Sequence, residues 1–117
     1  MRLSQIRDLL ACDVLAGEQR LDLEVEECFA AELMSDVLAH AKPGVLLVTG
    51  LTGIQSVHTA DLAELLGIVY VNGQRPAEHV LDLAREKGIP IQSTDLPFLT
   101  ACGILSAHGL LGGTRSK

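Results

Sequence analysis

The stretch 45-VLLVTGLTGIQSVHTADLAELLGIVYVNGQRPAEHVLDLAREKGIPIQS-93 decides the fold. Three short apolar runs, Val45–Thr49, Ile68–Val71 and Ile89–Ile91, alternate with two segments of helical periodicity. Continuous β-branched and leucine runs suit strands covered on both faces, and helices between them suit crossover connections. The stretch therefore predicts a parallel sheet. Its first helix is expected over Ile54–Leu66, with Gly67 as the stop, and its second opens at Pro76 in the first turn and closes at Gly88. Pro90, with no N–H to give a ladder, fits the start of a strand.

Outward from this core the signals are shorter. Ser4 is expected to cap a helix carrying Ile6, Leu9 and Leu10, followed by an extended Asp13–Ala16 and a break at Gly17. Leu21–Val25 alternates apolar and charged residues, which predicts a half-buried strand running on to Cys28 and Phe29 and completing a small N-terminal strand pair. Glu32–Ala41 reads as a helix ended by Lys42-Pro43-Gly44. A last helix, capped by Thr94 or Asp95 and running to His108, carries Phe98, Leu99, Cys102, Ile104 and Leu105 on more than one face. A helix apolar all round needs two covers, so a second subunit is expected against it. Residues 1–109 form the expected single α/β domain with a mostly parallel sheet and crossover helices, and residues 110–117 a flexible C-terminal tail.

Composition removes several function classes. Fifteen acidic against nine basic residues give a net charge of −6, which repels phosphate backbones and anionic lipid, so neither nucleic acid nor membrane is an expected partner. Aromatic residues are 3% of the 117, so there is no platform for stacking bases. Apolar stretches fall far short of the roughly 20 residues that cross a bilayer, and Arg7 and Asp8 interrupt any leader-like run, which predicts a cytoplasmic protein. Cys12, Cys28 and Cys102 are odd in number and set among apolar neighbours, as reduced core thiols are.

Ligands of open parallel sheets sit at the C-terminal ends of the strands. Here that edge carries Thr49-Gly50-Leu51-Thr52-Gly53, Asn72-Gly73-Gln74-Arg75-Pro76 and Ser93-Thr94-Asp95. The first loop reads either as an anion cradle at a helix start or as a turn whose glycines serve the backbone alone. It lacks the Lys-Ser/Thr of a P-loop and the G-x-G-x-x-G of a dinucleotide site. Arg75 either converges with Thr49, Thr52, Asn72 and Thr94 on a phosphate or carboxylate, or is a surface arginine beside the Asn72-Gly73 turn. The ligand set is thus Thr49, Gly50, Thr52, Gly53, Asn72, Arg75 and Thr94. His40, His58, His79 and His108 lie on separate predicted helices without metal-ligand spacing, so neither a metal nor another cofactor is expected. No nucleophile, triad or carboxylate pair marks a reaction.

The run NGQRPAEHVLDLAREKGIPIQSTDLPFLTACGIL, with Asn72-Gly73, Pro76, Gly88-Ile89-Pro90-Ile91 and Gly103, resembles the DRTGG domain, which is related to the N-terminal domain of HPr kinase/phosphorylase. The likeness extends back through ELMSDVLAHAKPG and VLLVTGLTG, over roughly Leu3 to Gly109. It is closer to short stand-alone members than to the copies within phosphotransacetylases or CBS-domain pyrophosphatases. The string DRTGG is itself absent, with Leu51-Thr52-Gly53 at the nearest loop, and so is the kinase P-loop. The resemblance implies a three-layer α/β sandwich that forms homodimers and plays a regulatory part, and stand-alone members accompany iron hydrogenase and related redox genes. The function expected is a non-catalytic regulatory or interaction module sensing a small anionic metabolite, with a protein partner in redox or energy metabolism. The alternatives are an enzyme acting on a phosphorylated small molecule through Thr49, Thr52, His58 and Arg75, and an adaptor whose loops bind nothing.

Overall fold

The computed structural model describes residues 1–115. A five-stranded sheet has the order β1-β5-β4-β3-β2, where β1 is Asp13–Ala16, β2 Cys28–Ala30, β3 Leu46–Thr49, β4 Gly67–Tyr70 and β5 Ile91–Ser93. β2 to β5 are parallel, and β1 closes one edge antiparallel to β5 with an irregularity between Val14 and Ala16. Five helices flank it: α1 Leu3–Leu10, α2 Met34–His40, α3 Ile54–Leu62, α4 Glu78–Lys87 and α5 Phe98–Ala107. The expected α/β sandwich with its mostly parallel sheet is the fold observed.

Successive parallel strands are laid down in one direction, so right-handed crossovers bring α2, α3 and α4 to one face. The other face is left for helices from the two ends of the chain, α1 and α5. Alternation along the strands serves both layers: Leu47, Ile68, Tyr70 and Ile91 pack under α2 to α4, whereas Leu46, Val48 and Val69 pack under α1 and α5. All eight residues of β3 and β4 are buried, which is why these runs carry no alternating polar positions, and their only polar side chains, Thr49 and Tyr70, stand at the C-terminal ends where each hydroxyl finds a partner.

Several expectations are corrected. The N-terminal strand pair does not form: Asp13–Ala16 and Cys28–Ala30 occupy opposite edges of the sheet. Leu21–Val25 alternates in burial, with Val25 fully buried, yet it is not a ladder strand. Its backbone is taken up by the start of α1, through Leu3 N–H to Leu23 O at 3.0 Å, Ser4 N–H to Leu21 O at 2.9 Å and Val25 N–H to Met1 O at 2.7 Å. Ser4 lies inside α1 rather than at its cap. α3 stops at Leu62, because Glu64 turns left-handed (φ 58°), and Gly67 opens β4 rather than ending the helix. A side chain at Gly67 would place Cβ 2.9 Å from the Pro90 carbonyl, which accepts from Ile68 N–H. Pro76 precedes the cap residue Ala77 of α4, and Pro97 rather than Thr94 or Asp95 holds the cap position of α5.

The segment expected as a tail runs along the β2 edge as far as Arg115. Cys28 N–H donates to Leu110 O at 2.7 Å, Gly112 N–H to Cys28 O at 3.1 Å and Gly113 N–H to the Glu27 carboxylate at 3.0 Å, while Arg115 donates to the Ala39 carbonyl at 2.6 Å. These bonds satisfy edge groups of a strand that has only one ladder partner. Ser116 and Lys117 lie outside the described residues.

Candidate functional site

Register brings the three expected loops side by side. Thr49 pairs with Tyr70 and Tyr70 with Ser93, so each loop leaves the sheet from the same level. Much of the expected polar set is then spent on holding the loops. The buried Thr49 hydroxyl accepts Leu51 N–H at 3.2 Å. Thr94, also buried, donates to Leu10 O at 2.6 Å and accepts Leu96 N–H at 3.2 Å, tying this edge to the end of α1. Asn72 and Gly73 are consecutive left-handed residues, and their N–H groups reach Leu96 O at 2.8 Å and Thr94 O at 3.0 Å. Asn72 Oδ1 accepts the Phe98 N–H at 2.8 Å, which fixes the start of α5. Arg75 forms an ion pair with Asp13 on β1, so its guanidinium is directed to the antiparallel edge.

Gly53 occupies the cap position of α3, and no side chain caps this helix. The Gly53 carbonyl accepts both Ser56 N–H (3.0 Å) and Ser56 Oγ–H (2.7 Å), and Ser56 Oγ lies 2.6 Å from Tyr70 Oη. Ser56 has one hydroxyl proton and gives it to Gly53, so Tyr70 donates to Ser56. Burial pushes the Tyr70 phenol up from its ordinary range, and the Ser56 bond opposes that shift. The buried pair thereby fastens the base of the Thr49–Gly53 loop to β4. Thr52 is half-buried at the loop's crest.

The residue that sequence reasoning missed is Glu32. It follows β2 at the same edge, and a Cβ on Gly50 would meet Asn72 Nδ2 at 2.8 Å and the two Glu32 carboxylate oxygens at 3.4 and 3.5 Å. A side chain at Gly50 would have to push the Asn72 amide aside and would touch the Glu32 carboxylate. Among the described residues Glu32 forms no ion pair. Burial, and secondarily this carboxylate, raise the thiol of Cys102 on α5. Its signal in the sequence was position alone, one residue beyond an apolar run ending at Ala31, and the blurred extent of that strand hid it.

The edge thus offers Asn72 Nδ2 as a donor, the Glu32 carboxylate as an acceptor, the Thr52 hydroxyl and the first N–H groups of α3. Leu33, Leu51 and Leu99 stand exposed around them, at 60%, 41% and 79%. Such a set can hold a polar ligand by hydrogen bonds. Among the described residues no three His, Cys, Asp or Glu side chains gather as metal ligands. His40, His58, His79 and His108 are all exposed and lie apart on different helices or, for His108, at the end of α5. The three cysteines are free, Cys12 and Cys28 buried and Cys102 half-buried. No helix among the described residues is long and apolar enough to cross a membrane.

Residues 5–107 match the family model of the DRTGG domain. The chain belongs to the DRTGG domain family. The resemblance carried by Asn72-Gly73, Pro76 and Gly88–Ile91 is therefore borne out over nearly the whole chain. Among solved structures this DRTGG domain is similar to the CBS and DRTGG domains of the regulatory region of a Clostridium perfringens pyrophosphatase, crystallised with its activator diadenosine tetraphosphate. The TM-score is 0.71 at 17% identity, and the match covers 89% of this chain but 45% of that one, so this chain spans less than half of that regulatory region. At that identity the likeness shows a shared fold, one that serves in the pyrophosphatase within a regulatory region. No curated protein matches the sequence.

Proposed function

We propose that this DRTGG domain is a non-catalytic regulatory module that senses a small anionic metabolite at the C-terminal edge of its sheet. One observation carries the reading: Asn72 Nδ2 and the Glu32 carboxylate converge over Gly50 without being consumed by the fold. The anionic group sits on Thr52 and the first N–H groups of α3, where aligned peptide dipoles favour negative charge. Glu32 requires that the same ligand also present a hydrogen-bond donor, which a simple ionised carboxylate lacks and the hydroxyl and amino groups of a nucleotide supply. Arg75 joins the site only by leaving Asp13. The pyrophosphatase region carries a dinucleoside polyphosphate, which makes nucleotides the first probes.

The module acts in the cytoplasm as a homodimer and transmits ligand binding to a protein of redox or energy metabolism. The test is a thermal-shift screen with diadenosine tetraphosphate, ATP, acetyl phosphate and citrate. A ligand at 100 times its dissociation constant adds about 2.7 kcal/mol of stability, a shift that is easily read. Glu32→Ala removes that shift while leaving the unliganded midpoint close to wild type, whereas Asn72→Ala removes it and also lowers the midpoint, because Asn72 Oδ1 holds the Phe98 N–H and the residue is left-handed. Absence of any shift at millimolar nucleotide refutes the ligand site, and light scattering that reports a monomer at micromolar concentration refutes the dimer separately.

A further inference from the structure

A cavity of about 400 Å3 lies at the opposite end of the sheet from these loops, against the residues that lead into β3, β4 and β5. Leu23, Leu65, Leu66 and Ile89 give it an apolar floor, and Arg20, Lys87, Asp61 and Glu64 stand around it. Lys87 and Asp61 face each other at 3.6 Å. Arg20 and Glu64 are different: among the described residues neither forms an ion pair, with the other or with any third group. An acid and a base that line one cavity without neutralising each other are complementary to a ligand bearing both charges.

The backbone supports the same reading. Arg20 Nη2 lies 3.3 Å from where a Cβ on Gly88 would stand, so a side chain at Gly88 would crowd the guanidinium. Glu64 follows the end of α3 in a left-handed conformation (φ 58°) that glycine adopts at less cost, yet an acidic residue stands at this position of the cavity wall. α3 and α4 both end here, at Leu62 and Lys87; most of their last carbonyls already accept turn bonds, as Ala60 O does from Leu65 N–H and Ala84 O from Ile89 N–H, but the negative ends of the two helix dipoles still favour an ammonium. A simple anion would meet Asp61, Glu64 and those helix ends; a simple cation would meet Arg20. The volume is within the range of roughly 300–1,000 Å3 of small-molecule sites.

We infer that this groove binds a free aliphatic amino acid, its carboxylate on Arg20, its ammonium on Glu64 in the field of the two helix ends, and its side chain on the apolar floor. The site is separate from the loops around Gly50. Isothermal titration of the full chain with L-leucine gives saturable binding at millimolar concentration or below, and 4-methylpentanoate and 3-methylbutylamine, which each keep one charge, bind about tenfold more weakly or not at all. Arg20→Gln and Glu64→Gln each weaken L-leucine by about tenfold, the loss of one charged hydrogen-bonding partner. Glu64→Gly raises the unfolding midpoint while losing binding, which separates loss of the site from loss of the fold, and Asn72→Ala leaves binding unchanged. No saturable heat with L-leucine, equal affinity for the singly charged analogues, or binding indifferent to Arg20 and Glu64 overturns the assignment.

Discussion

Removing either hydroxyl of the Tyr70–Ser56 pair should have unequal effects, although the substitutions delete one oxygen each. In Tyr70→Phe, Ser56 Oγ still donates to the Gly53 carbonyl at 2.7 Å and loses only an incoming bond, so no buried donor is stranded. The cost is that of one neutral hydrogen bond, about 1 kcal/mol. In Ser56→Ala the phenol of a fully buried Tyr70 keeps its proton and loses the acceptor 2.6 Å away. An orphaned buried donor costs more than the net bond is worth, about 2 kcal/mol. For a domain of this length each kcal/mol lowers the midpoint by about 4 °C, so the two variants should separate clearly in urea or thermal unfolding. The double variant should cost less than the sum by about 1 kcal/mol, because with both hydroxyls gone nothing is left unsatisfied. Equal costs for the two single variants, or strict additivity in the double, would refute the donor assignment and the claim that this pair fastens the loop.

Three further outcomes follow from close contacts and buried thiols. Cys12 and Cys28 are pushed up to about 12 from 9.0, in both cases chiefly by burial. The unfolded chain therefore loses these protons first, binds fewer than the native state between 9.0 and about 12, and stability falls as pH rises through that window; denaturant midpoints under reducing conditions that stay flat there would contradict it. Gly67→Ala sets a methyl 2.9 Å from the backbone carbonyl of Pro90, which cannot rotate away, and should cost about 1–3 kcal/mol in chemical unfolding, a neutral result showing that β4 and β5 can part. Gly103→Ala lies mid-helix in α5 with nothing within 4 Å, so a free α5 surface gains about 0.5–1 kcal/mol, whereas a loss of stability together with a lower mass in light scattering identifies this face as the dimer contact.

Much of the central sheet was legible because its information is local. Between Val45 and Ser93 each strand is a short apolar run and each helix a periodic one, and strands that are buried on both faces and joined by helices favour a parallel crossover. Where a segment's role depended on a distant partner, local pattern misled. Leu21–Val25 alternates as a strand does, but Met1–Ser4 takes its backbone groups and β3 has room for only one further neighbour, which is Cys28–Ala30. α3 was expected to reach Leu66 because Leu65 and Leu66 are apolar, though they are held by the turn that Glu64 makes into β4.

The sequence by itself determined the layer order of β3-α3-β4-α4-β5, the edge at which its loops emerge, and the family to which the chain belongs. Only the tertiary structure decided which polar groups at that edge are still free. Arg75 is paired with Asp13 across 62 residues, Thr94 bonds the end of α1 across 84, and Glu32, unmarked by any motif, closes over Gly50 opposite Asn72. The physical reason is the same in each case. Propensity and periodicity are set by neighbours along the chain, whereas the fate of a donor, an acceptor or a charge is set by what packing brings within hydrogen-bond distance, and that partner stands far away in sequence.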